Sequence, residues 1–229
     1  MRRILAGNTS MESAGSVITN DASRSLGVAA LRDLSFQLQD GDRLGIIGRN
    51  GSGKSTLLRV LAGVFEPQVG TVSVVGRVAA LLSAGMGMQP DATGFRNIEL
   101  IGLANGLSRA EIRVLAPEIA EFSGLGPYLE MPVTTYSNGM KMRLKFAACT
   151  AFDPDILLID EWLNAGDADF RKKSEVRMNQ LINTTGILVL ATHKNRTILD
   201  ICNKCLWLDR GCMQMFGEAK EVIDAYNSS

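Results

Sequence analysis

Aromatic residues make up only 6% of this 229-residue chain, and none stands before Phe36. A polar, Ser- and Gly-rich opening without aromatics gives little to pack, so residues 1 to about 25 are expected to form a loose N-terminal segment. Net charge is also absent. Lys plus Arg and Asp plus Glu number 24 each, so no overall field draws the protein to nucleic acid or to an anionic membrane, and no nucleic-acid partner is expected. No apolar run approaches the ~18 residues of a membrane span. Ile4-Leu5-Ala6 behind Arg2 and Arg3 is far shorter than a signal-peptide core, so the chain is expected to stay in the cytoplasm. Internal repeats and low-complexity linkers are missing too. Histidine occurs once, as His193, and cysteine four times. Cys202 and Cys205 have C-x-x-C spacing, and with Cys212 and His193 a Cys₃His zinc site can be drawn. No second C-x-x-C follows, and reduced, packed thiols are the expectation. With 46% apolar and 21% charged residues, the chain has the composition of a soluble globular protein long enough for one large domain or two small ones.

What is present is sharper. Gly48-Arg49-Asn50-Gly51-Ser52-Gly53-Lys54-Ser55 fits G-x-x-x-x-G-K-[ST], a loop that wraps nucleotide phosphates. Residues 44–47 read as a short buried strand, and 56–62 have the apolar spacing of a helix, so the glycines fall at a strand-to-helix turn. Backbone N–H groups there can turn inward, and the positive end of the helix favours a polyanion. The expected nucleotide site comprises Gly48, Asn50, Gly51, Ser52, Gly53, Lys54, Ser55 and Thr56. Lys54 would reach the β- and γ-phosphates, and the Ser55 hydroxyl would help hold Mg²⁺.

The rest of the chain alternates. Strand-like runs at 34–38 and 44–47 flank the polar turn 39–42, and runs at 71–75 and 78–82 read as a hairpin joined at Gly76-Arg77. Helical spacing dominates from 97 to about 151. Ser108 with Glu111 marks a capping box for a helix toward Phe122, and Ser137 or Asn138 caps another. After 155 come buried strands at 156–159 and 187–191, separated by a helix over about 169–183. Short strands at 206–208 and 213–216 precede a C-terminal helix over 218–226. The expectation is an α/β P-loop NTPase core with a helical subdomain inserted over roughly 90–152.

Three further features carry chemistry. The strand 156–159 ends in Asp160 and Glu161, which such a strand delivers at the ligand-binding edge of an open α/β sheet. Asp160 is then placed to hold Mg²⁺, and Glu161 to accept a proton from the water that attacks the γ-phosphate. Tyr136-Ser137-Asn138-Gly139-Met140-Lys141 opens a helix with exposed N–H groups and room for an anion. On those grounds alone an ordinary capped helix start is the simpler reading. His193 follows an apolar strand, where a lone histidine is usually structural.

The order of these parts resembles the ATP-binding subunits of ABC transporters, whose Leu-Ser-Gly-Gly-Gln signature stands about 20 residues before the paired acids. Ser137, Asn138, Gly139 and Met140 occupy the place of Ser-Gly-Gly-Gln. The Tyr-Ser-x-Gly-Met form, with residues 22–26, 87–94 and 160–167, is similar to the branch that exports bacterial polysaccharides such as O-antigen, capsule and teichoic-acid chains. The resemblance covers nearly the whole chain from about residue 16.

That resemblance implies an ATPase with ATP and Mg²⁺ as cofactors and an inserted helical subdomain between its Walker A and Walker B segments. Two copies would sandwich two ATP molecules head to tail, each offering Ser137, Asn138 and Gly139 to the other's γ-phosphate. Asp167 would lie in the loop that crosses the dimer interface, and His193 would be the switch histidine that senses the γ-phosphate. Glu161, His193 and Lys54 become the catalytic residues, and Ser55 and Asp160 the metal ligands. An integral-membrane permease would form the translocation path, docking on the helical insertion and residues 84–94. The polysaccharide would be only an indirect partner, and the subunit would sit peripherally on the cytoplasmic face of the cell membrane. Some members carry a C-terminal carbohydrate-recognition domain. This sequence ends at Ser229, so the choice of glycan is expected to lie elsewhere.

Two departures stand out. The usual adenine-stacking aromatic before the P-loop is missing, leaving Arg24 or an aliphatic residue to substitute. The Q-loop glutamine is also missing: Ala84 falls near its position and Gln89 about five residues late. Alternatives are an ABC ATPase for another cargo, a soluble ABC ATPase acting on DNA or ribosomes, and a nucleotide-binding scaffold without catalysis. The single cassette and intact Glu161 and His193 argue against the last two.

Overall fold

A computed structural model describes residues 2–7, 17–19, 26–82, 88–160 and 168–229. The chain forms two compact units. The first gathers the described residues of Met1–Gly76, Leu158–Glu161 and Gly186–Ser229, and the second those of Arg77–Leu157 and Trp162–Thr185.

The first unit begins with β1 (Arg3–Gly7), β2 (Val17–Thr19), β3 (Leu26–Val28), β4 (Phe36–Gln39), β5 (Arg43–Ile47), α1 (Lys54–Leu61) and β6 (Thr71–Val75). β2 and β3 pair antiparallel with each other. β1 is the central strand of an antiparallel sheet of order β4-β1-β6. This corrects the expectation of a uniformly loose segment over residues 1–25. Ile4 and Ala6 alternate inward and are buried, as are Phe36 and Leu38 opposite them. A run too short for a signal core is long enough for a half-buried strand. The expected hairpin at Gly76-Arg77 is also not formed, because β6 pairs with β1 instead.

The second unit contains β7 (Val78–Leu81), α2 (Gly94–Ala104), α3 (Arg109–Ser123), α4 (Asn138–Cys149), the start of β8 (Ile156–Asp160) and α5 (Ala168–Thr184). β7 is the neighbour of β8. The Arg77 carbonyl accepts the N–H groups of Asp155 and Ile156 at 2.9 and 3.0 Å, and the Arg77 N–H donates to Asp155 Oδ2 at 2.8 Å. α3 starts on the capping box expected from the sequence. Ser108 Oγ accepts the Glu111 N–H, and Glu111 Oε2 accepts the Ser108 N–H. The Ser108 N–H first, and the Ser108 hydroxyl after it, hold the Glu111 carboxyl below its ordinary pKa. Phe122, Phe146 and Phe170 meet with ring centroids 5.8–5.9 Å apart, joining α3, α4 and α5. Lys173 donates to the Phe122 carbonyl at the end of α3, where a cation complements the helix dipole.

The chain returns to the first unit with β9 (Ile187–Ala191), α6 (Asn195–Ile201), β10 (Lys204–Asp209), β11 (Cys212–Glu218) and α7 (Ala219–Asn227). Its main sheet runs in the order β11-β10-β5-β9-β8. β10 and β9 flank β5 in parallel, and β11 closes the edge antiparallel to β10. Every residue of β9 is buried, as are Leu44, Ile46 and Ile47 of β5. Each Leu or Ile so buried contributes about 1.5–3 kcal/mol. Cys202 and Cys205 belong to this core. Burial pushes both thiols up to about 12, so they stay protonated and unreactive near neutrality. The turn between β4 and β5 is held by Asp42, whose Oδ2 accepts the Gln39 N–H at 2.7 Å and pairs with Lys204 Nζ at 2.8 Å.

Candidate nucleotide-phosphate site

The phosphate loop leaves the sheet at the end of β5 and enters α1 at Lys54. Its shape depends on two glycines. Gly48 has φ +146°, and a Cβ there would stand 2.1 Å from the Leu208 carbonyl oxygen and 2.7 Å from Ser52 Oγ. Gly53 has φ +103°, and its Cβ would stand 2.8 Å from both the Ala30 carbonyl oxygen and Leu31 Cδ2. Backbone conformation and close approach both demand glycine at these positions. The loop is further tied by Ser52, whose carbonyl accepts the Gly211 N–H at 2.9 Å and whose N–H donates to the Arg49 carbonyl at 3.1 Å. Ser52 Oγ is buried without a hydrogen-bond partner among the described residues.

Lys54 Nζ donates to the Gly48 and Arg49 carbonyls at 2.7 and 2.9 Å, so its ammonium is held over the loop itself. α1 has no side-chain cap and no acidic residue in its first turn. Among the described residues its positive end therefore has neither a capping side chain nor a first-turn acid, and Ser55 and Thr56 stand in that turn. A fixed cation beside an uncapped helix N-terminus suits a polyphosphate.

The parallel register places the remaining candidates of this unit. Ile46 pairs with Ala191, so Gly48 and His193 each lie two residues beyond that pair, at one edge of the sheet. Thr192 is buried, and its Oγ1 accepts the Lys194 N–H at 3.2 Å, a turn that leaves His193 exposed. Asp160 is the last residue of β8 and half-buried. β8 and β9 are sheet neighbours separated in sequence by α5, a connection of the length that a parallel pair requires, and a β8 parallel to β9 would end with Asp160 at the same edge. A serine hydroxyl and a carboxylate are hard oxygen donors of the kind Mg²⁺ takes, so Ser55 and Asp160 fit that ion. Glu161 and Asp167 lie outside the described residues, as do Arg24 and Ala84.

Ser137, Asn138 and Gly139 belong to the second unit. Ser137 is the N-cap of α4 and accepts the Met140 N–H at 3.2 Å, while its carbonyl accepts the Lys141 N–H at 3.0 Å. Ser137 and Asn138 are exposed. The turn is anchored from behind by the buried Tyr136, whose hydroxyl donates to the Tyr128 carbonyl at 2.5 Å. Desolvation raises the Tyr136 pKa, which keeps it a donor. Gly139 differs from the loop glycines. The nearest atom to its would-be Cβ is Ser137 Oγ at 3.8 Å, an ordinary contact. Nothing among the described residues requires glycine there.

One organising residue is not evident from the sequence. Asn97 is fully buried in α2. Its Oδ1 accepts the Gln89 N–H at 2.8 Å, and its Nδ2 donates to the carbonyls of Gln89, Ala92 and Thr93 at 3.0–3.2 Å. It clamps residues 89–93. The one signal in the sequence is a lone asparagine four residues after a Thr at a helix start.

An ABC transporter family model matches residues 31–164. The O-antigen export system ATP-binding protein RfbE of Yersinia enterocolitica is 43% identical over 96% of this chain and 88% of its own length. RfbB of Myxococcus xanthus, another O-antigen export ATP-binding protein, is 43% identical over 88% of this chain. The teichoic acids export ATP-binding protein TagH of Bacillus anthracis is 41% identical over 86%. The chain spans only 46% and 36% of the length of these last two. Among solved structures, an ATP-binding subunit of an ABC transporter superposes with a TM-score of 0.71 at 23% identity, over 98% of this chain and 93% of the other. A dimeric post-hydrolysis ATP-binding cassette holding ADP and Pi superposes at 0.68 and 19% identity, over 94% and 98%. These two share the fold. With the family model matching more than half of the chain and a relative 43% identical over most of both lengths, the chain belongs to the ABC transporter family of ATP-binding proteins.

Proposed function

We propose that this protein hydrolyses ATP to power export of a lipid-linked polysaccharide. It would work as a head-to-tail homodimer on the cytoplasmic face of the cell membrane, beneath a separate integral-membrane permease. The observation that carries the ATPase reading is Lys54, pinned on the loop carbonyls at the uncapped end of α1. The names of the O-antigen and teichoic-acid export relatives support the cargo class. Among the described residues no helix is long and apolar enough to cross a membrane, which is why the path is assigned to another subunit.

In this reading the loop N–H groups and Lys54 bind and orient the triphosphate. Ser55 and Asp160 would hold Mg²⁺, which would supply charge neutralisation for the triphosphate. Glu161 takes the proton from the attacking water, and His193 contacts the γ-phosphate at the sheet edge. Ser137, Asn138 and Gly139 of a second copy complete the set of donors, so one chain alone holds an unfinished site. Closure is then favoured by ATP and released by hydrolysis, a two-state switch biased by nucleotide.

Glu161→Gln tests this reading. The amide keeps the shape of the side chain but cannot take the proton, a loss of about 10²–10⁴-fold in turnover. With ATP and Mg²⁺, light scattering should show the mass of a dimer, and little phosphate should be released. A monomer that hydrolyses ATP at the unsubstituted rate would end the proposal.

A further inference from the structure

α4 carries an unexpected buried cation. Lys145 is only 7% exposed, and its Nζ donates to the Leu82 carbonyl at 2.7 Å, just beyond the end of β7. Burial lowers its pKa; the nearby Cys149 acts in the opposite direction and is itself pushed up to about 11 by burial. Around it Leu144, Phe146, Ala147, Ala148 and Cys149 are buried as well. An apolar residue would fill this volume without the cost of desolvating an ammonium. What apolar packing does not supply is direction. Hydrophobic contact is non-directional, and two adjacent alanines leave a smooth helix surface that tolerates rotation or sliding. A charged donor on one carbonyl fixes both, the registry role for which buried polar groups are best attested.

We infer that Lys145 is a positioning residue for the Ser137, Asn138 and Gly139 turn. By locking α4 to the end of β7, it sets the direction in which the exposed N-terminus of that helix is presented. Lys145 acts through the helix and not by contact with nucleotide or metal. The inference rests on the proposed ATP-bridged dimer, since that is where the direction of the turn matters.

The test uses Lys145→Met, unbranched and a good helix former, beside Lys145→Arg, which keeps a charged donor. Both are made in the Glu161→Gln background. Binding of a fluorescent ATP analogue to the monomer should stay within about twofold for both, because Lys145 and the Leu82 carbonyl that it holds belong to the second unit and residues 48–55 to the first. ATP-dependent dimerisation of Lys145→Met should weaken about tenfold, the scale of one hydrogen bond to a charged group. Lys145→Arg should recover most of it. Amide exchange of residues 140–144 in the nucleotide-free monomer should quicken in Lys145→Met and not in Lys145→Arg. Unweakened dimerisation of Lys145→Met overturns the inference, as does an equal loss of nucleotide affinity and dimerisation, which would mark a general structural role. Should Lys145→Met not fold, Lys145→Gln takes its place, and weakened or unweakened dimerisation decides in the same way. If the Glu161→Gln parent itself stays monomeric, the ATP-bridged dimer is wrong. Unchanged exchange at residues 140–144 would then also remove the anchor.

Discussion

Lys54→Ala is expected to lower ATP hydrolysis by about 10²–10³-fold, the cost of removing one preorganised charge from the transferring phosphoryl group. The fold should survive. Gly48 and Gly53 shape the loop against Leu208 and Ala30 without help from the lysine, and α1 is held by Leu57, Leu58 and Leu61 in the core. What disappears is the ammonium now resting on the Gly48 and Arg49 carbonyls. Phosphate release, read beside a thermal melt, separates the two effects. A melt within a few degrees of the unsubstituted protein with hydrolysis abolished is the expected pair, and retained hydrolysis would contradict the role given to Lys54.

Gly139→Asp should separate stability from activity in the opposite sense to most site substitutions. Gly139 is the second residue of α4, and among the described residues its added Cβ meets only Ser137 Oγ at 3.8 Å. Aspartate has better helix propensity than glycine, and an acid in the first turn complements the helix dipole, so the isolated chain should gain about 0.5 kcal/mol. In the dimer the same carboxylate would face the γ-phosphate of the other copy. Anion against anion in a water-poor pocket should cost hydrolysis at least about 100-fold. A raised melting temperature with lost turnover is the expected pair; unaltered turnover would show that Gly139 faces no phosphate.

The strand-to-helix turn of the proposed phosphate site is legible in the sequence because its parts are contiguous. Eight neighbouring residues specify turn, cation and helix end together. The buried strands are legible for a similar reason: 156–159 and 187–191 are unbroken apolar runs. The capping box at Ser108 and Glu111 is likewise local. What the sequence hides is decided at long range. Arg3 pairs with Gln39 on one side and Val75 on the other, partners that a five-residue run does not reveal. Gly76-Arg77 has the look of a hairpin turn, yet the Arg77 backbone is taken by Asp155 and Ile156. Asn97 and Lys145 sit at positions that read as ordinary polar helix residues, and only the folded chain buries them beside carbonyls.

The central claim is that each copy completes the other's site, and mixing two inactive proteins tests it most directly. Lys54→Ala keeps a working signature turn, and Gly139→Asp keeps a working phosphate loop. Combined in equal amounts with ATP and Mg²⁺, they should form heterodimers with one site built from the two intact halves, and hydrolysis should reappear. Mixed samples that remain as inactive as either protein alone, though shown to associate, would contradict a site shared between two chains.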